Sequence, residues 1–67
     1  MGTNSEIYRT ANLLIEEYGE MAAPAAFIRA DQLFERGDLP GRRVWLRIAR
    51  IAEDLLSEHI PGNSSIH

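Results

Sequence analysis

The side chains that could do chemistry in this chain are few, and their spacing suits them poorly for it. Cysteine is absent, which removes thiolate nucleophiles, thiolate metal sites and disulfides together. Ser57 and His59 are the nearest approach to a nucleophile and a base, but two positions apart on a helix they face different directions. His59 and His67 are the only histidines; both fall at a frayed end or in a tail, where no pocket tunes an imidazole. The acid pairs Glu16/Glu20 and Asp54/Glu58 share a helix face at i, i+4 and could touch a hard cation. Two carboxylates without histidine support are ordinarily solvated, so no metal is expected. Gly37-Asp38-Leu39-Pro40-Gly41 has the glycines of a phosphate loop, but it follows a helix rather than a strand and lacks the lysine. The sequence therefore reads as a non-enzyme, with no catalytic residue, cofactor, metal or small-molecule substrate expected.

Basic chemistry is concentrated in one place. All seven basic residues are arginine, against ten acids, for a net charge of −3. Residues 1–36 carry six acids and three arginines, residues 37–52 carry four arginines and only Asp38, and Glu53, Asp54 and Glu58 follow. Arg43, Arg47 and Arg50 recur at i, i+4, i+7, the spacing that presents three guanidinium groups along one helix face to phosphates. Asp54 and Glu58 continue that face with opposite charge, which favours a solvated surface over a nucleic-acid contact. Nucleic-acid binding through these arginines stands as the alternative function. A further one is an acidic phage-type inhibitor that imitates nucleic acid with Glu16, Glu17 and Glu20.

The elements that must position these groups are helical, and Gly19 and Gly37 punctuate them. Glycine takes the left-handed conformation that closes a helix without a Cβ penalty. The first helix is predicted to start after Thr3, with Glu6 completing a capping box. Ile7, Ala11, Leu14, Ile15 and Tyr18 then make its buried face. From about Glu20 or Met21 to Arg36 the apolar stripe is Ala23, Ala26, Phe27, Ala30, Leu33 and Phe34; Pro24 sits in the first turn, where it needs no N–H. Asp38 is placed to cap the third helix, whose core face is Val44, Trp45, Ile48, Ile51, Ala52 and Leu55 and which ends before Pro61. The expectation is an all-α protein: a three-helix, up-down-up arrangement with short turns at Gly19 and Gly37-Asp38. Residues 1–61 form the single domain and residues 62–67 a flexible tail.

Ile7-Tyr8-Arg9, Ala11, Tyr18-Gly19, Arg29-Ala30-Asp31, Gly37-Asp38, Gly41, Val44-Trp45 and Arg47-Ile48 together resemble a family of short helical bacterial proteins common in alphaproteobacteria. The likeness spans roughly residues 6–56. Met21 and Pro40 stand where members often carry an acid. The resemblance implies a bacterial cytoplasmic protein; the family has no assigned activity, so no site residue is carried over.

What remains is surface. The longest apolar run, Met21–Ile28, contains Pro24 and is far too short to span a bilayer. No signal peptide is visible, and Glu6 stands where a myristoylation motif wants serine or threonine. A cytoplasmic location without membrane attachment is expected. Leu13, Ile28 and Leu46 fall off the core stripes and Leu56 at an edge, so these four are the candidate partner-binding residues. A 67-residue domain nets only about 3–5 kcal/mol from its core, and surplus aliphatics on so thin a core point to a homodimer or another protein partner. The leading expectation is a non-catalytic interaction module, an adaptor or small regulator.

Overall fold

The structure, a computed structural model, describes residues 2–58. Within them the protein is all-α, with no strand. Helix α1 runs Gly2–Tyr18, a single 3-10 turn occupies Gly19–Met21, α2 runs Ala22–Glu35 and α3 runs Leu39–Glu58. His59, His67, Pro61 and the 62–67 tail lie outside the described residues.

Gly19 takes the left-handed conformation, with φ 59°, as its position requires, but it does not open a loop. The backbone re-enters helical geometry at once, with the Ala22 N–H donating to the Gly19 carbonyl. With no non-helical residue between Gly2 and Glu35, α1 and α2 are the arms of one bent run. The expected three separate helices are thus corrected to a bent helix followed by α3. A short turn at Gly19 needs residues to turn with, and Glu20 and Met21 are held in the 3-10 turn that runs straight into α2 at Ala22. The first helix also starts earlier than predicted: α1 begins at Gly2, ahead of Thr3.

The second break is a true turn, closed by a set of backbone hydrogen bonds. Gly37, at φ 82°, donates to the Phe34 carbonyl at 3.0 Å while the Asp38 N–H donates to Leu33 at 2.9 Å. Those paired bonds are the Schellman closure, which a left-handed residue at this position makes possible. Asp38 then caps α3 as expected: the Gly41 N–H donates to its Oδ1 at 3.0 Å, and the Arg42 N–H to its carbonyl at 3.0 Å. One aspartate therefore closes α2 and opens α3, which makes α2 and α3 a tight hairpin and the most extensive helix pair.

The core departs from expectation in the size of its residues. Of nine buried hydrophobic residues among those described, seven are alanine, and only Ile7 and Ile48 are larger. Ala22 and Ala49, which the sequence pattern had not selected, join Ala11, Ala23, Ala26 and Ala52 in one cluster with the two isoleucines. Leu14, Ile15, Trp45, Ile51, Leu55 and Leu56 pack against its margin. Alanine seams bring helix axes toward the short end of the roughly 8–10 Å range, and such close approach leaves no room for a ring between them. Phe27 and Phe34 are for that reason exposed, and Tyr18 and Val44 are exposed as well, not buried as their positions predict. Phe27 and Phe34 sit about 80–100° round the helix from Ala26, at the edge of a seam only one methyl deep. Tyr18 is the last residue of α1, beside the bend.

Candidate interaction surface

Three shallow, open concavities of the described surface share lining residues. Glu6, Ile7 and Thr10 of α1 face Val44, Trp45 and Ile48 of α3 across the first, of about 260 Å³. Ile7 and Val44 also line the second, of about 360 Å³, whose other walls are Pro40, Arg43 and Arg47. Trp45 carries the trough to the third, of about 260 Å³, with Leu14, Tyr18, Ala25 and Arg29. The result is an apolar trough along the α1–α3 junction that reaches α2 at one end, with Glu6 on the α1 side, Arg43 and Arg47 on the α3 side and Arg29 at the α2 end.

Helix geometry explains why these groups meet. Val44 and Ile48 are i, i+4 on α3 and lean toward Ile7, while Arg43 and Arg47 occupy the flank of the same face. Glu6, Thr10, Leu13 and Glu17 form a strip at i, i+4, i+7, i+11 along α1. The Thr10 hydroxyl donates to the Glu6 carbonyl at 2.9 Å, so it is satisfied within its own helix. Trp45 is half-buried at the centre, with the Arg29 guanidinium 5.9 Å from its ring centroid. Arg29 also donates through Nη1 to Gln32 Oε1 at 3.4 Å. Near the hairpin turn, the Arg42 guanidinium stands 5.1 Å from the Phe34 ring centroid. Such pairings hold about 0.5–1 kcal/mol each at exposed sites and keep two large rings from being wholly bare.

The residues singled out from sequence are distributed unevenly. Leu13 and Ile28 are exposed, at 53% and 59%. Leu46 and Leu56 are half-buried, and Leu56 packs on the core cluster; both had been expected outside it. The cause is that α3 turns a broader face inward than its apolar stripe suggests, with Ala49 at its centre. None of the four lines the trough. Arg43, Arg47 and Arg50 are all exposed on α3. Glu16, Glu17 and Glu20 are exposed as well.

The trough itself was not picked out from sequence, because Ile7, Val44, Trp45 and Ile48 were all assigned to the core. The available signal was the alanine content of the stripes, which marks close helix approach: Ile7 and Ile48 are enclosed as assigned, while Val44 is exposed and Trp45 only half-buried. Among the described residues no polar side chain is buried, no buried polar atom lacks a partner, and no three potential metal ligands cluster. No described helix is long and apolar enough to cross a membrane. The arrangement offers apolar contact area between charged rims. Compared with known proteins, the chain matches no family model, no curated protein and no solved structure.

Proposed function

We propose that this protein is a non-catalytic helical interaction module that acts through its surface and associates with a second copy of itself. One observation carries the reading: the core is closed by alanines, while Tyr8, Leu13, Tyr18, Met21, Phe27, Ile28, Phe34, Leu39 and Val44 are left exposed. Single exposed hydrophobes are ordinary, but so many on so small a chain favour a partner that covers some of them. Association also offsets the small stabilisation that a 67-residue chain draws from its own core. The finer architecture belongs to the same reading, with α1, α2 and α3 working as three helices of one module. So do a cytoplasmic location, supported by the cysteine-free sequence, and a place in the short bacterial family that the chain resembles. Sedimentation equilibrium across a concentration series tests the proposal. A dimer mass that falls toward the monomer on dilution is the expected result; a monomer at the highest concentration refutes self-association.

The exposure of Arg43, Arg47 and Arg50 on one side of α3 favours one second reading, a nucleic-acid-associated regulator. Retention on immobilised DNA or RNA that weakens with salt, and is lost when all three become glutamine, supports it. No retention at low salt eliminates it.

A further inference from the structure

The trough has walls of opposite charge, and that asymmetry says how a second copy sits on it. On the α1 wall Glu6 lines the trough, and Leu13 and Glu17 continue its strip beyond the lining at i+7 and i+11; on the α3 wall, Arg43 and Arg47 flank Val44 and Pro40. All four charged side chains are exposed. An isologous pair can be registered in two ways, with each wall facing its own counterpart or with each facing the other. Like walls would set Glu6 and Glu17 against the same glutamates, and Arg43 and Arg47 against the same arginines. Unlike walls pair acid with base twice over, once on each side of the symmetry axis. They also bring apolar surface together: Ile7 of one copy's lining, with Leu13 beside the trough, against Val44 and Pro40 of the other.

We infer that the protein forms a two-fold dimer in which the α1 wall of each copy packs against the α3 wall of its partner across this trough. This rests on the self-association proposed above and specifies its surface and register. Electrostatic complementarity of this kind acts chiefly by excluding wrong registers. The charge asymmetry between residues 1–36 and 37–52 then has a structural purpose, with a net-acidic arm and a basic helix made to meet in trans.

Two charge reversals test the register. One variant carries Arg43→Glu and Arg47→Glu; the other carries Glu6→Arg and Glu17→Arg. Each alone faces like charge on both seams and should self-associate at least about ten-fold more weakly than the wild type. Mixed in equal amounts, they should recover a heterodimer of near wild-type affinity, because each seam again pairs acid with base. Sedimentation velocity reads the masses, and far-UV circular dichroism checks that each variant is folded. If the reversals disturb folding, the neutral pair Arg43→Gln/Arg47→Gln takes their place. For that pair, the salt dependence of the dimer constant between about 50 and about 500 mM should become flatter than in the wild type. A wild-type dimer whose variants self-associate normally, or fail to recover on mixing, overturns the register and leaves self-association standing. A salt response unchanged by the neutral pair does the same. A wild type that is monomeric throughout overturns both.

Discussion

Two neighbouring alanines should respond in opposite directions to the same substitution. Ala26 has no exposed surface and belongs to the alanine cluster between helices. Ala25, one position away, is half-buried and lines the open concavity of about 260 Å³ beside Tyr18, Arg29 and Trp45. Leucine adds three carbons at either place, and burying them without strain would stabilise by about 2.4 kcal/mol, at about 0.8 kcal/mol per carbon. At Ala26 there is nowhere to put them. The helices must move apart or the side chain must leave its rotamer, which costs about 1–3 kcal/mol and forfeits contacts of the neighbouring methyls. Against a total of about 3–5 kcal/mol, Ala26→Leu should remove a large part of the stability. At Ala25 the added carbons enter an open recess, where roughly half the full gain, about 1 kcal/mol, is expected. Urea denaturation followed by circular dichroism, at one fixed protein concentration, measures both variants. A rise in the midpoint for Ala26→Leu, or equal losses at the two positions, would refute the close-packed alanine seam.

The hairpin turn gives two further expectations. Asp38→Ala removes the carboxylate that accepts the Gly41 N–H at 3.0 Å and should cost about 1 kcal/mol, read as a lower urea midpoint with an unchanged slope. Gly37→Ala places a Cβ in open space but at φ 82°, so its cost, also about 1 kcal/mol, is purely conformational. Asparagine at position 37 should recover part of that loss, since it tolerates the left-handed region better than alanine; no difference between the two variants would contradict this.

Much of the local structure was legible because local chemistry decides it. Gly37 and Asp38 announce a Schellman closure followed by an N-cap, since the left-handed residue and the capping carboxylate act on backbone groups a few positions away. The helical period likewise marked Ile7, Ala11, Ala26, Ile48 and Ala52 as inward-facing. The same reasoning over-read Gly19. A glycine there permits a change of direction, but whether a loop opens depends on how soon the next residues return to helix, and Pro24 in the first turn of α2 did nothing to delay them.

Depth of burial was beyond the sequence. Periodicity says which side of a helix faces inward but not how far apart two helices stand, and that distance decides whether Phe27, Phe34 and Val44 are enclosed or left beside the seam. Once Ala11, Ala22, Ala26, Ala49 and Ala52 meet with no exposed surface, the larger side chains are displaced to the margin. The trough between α1 and α3 then follows, with Val44 and Trp45, which the one-dimensional pattern assigned to the interior, standing over the buried Ile7 and Ile48. Composition and spacing alone determined an all-α chain with a capped hairpin and a segregated charge. Tertiary packing decided that Phe27, Phe34 and Val44 face outward while Ile7 and Ile48 are enclosed, because close contact between methyl groups leaves little volume beside the seam.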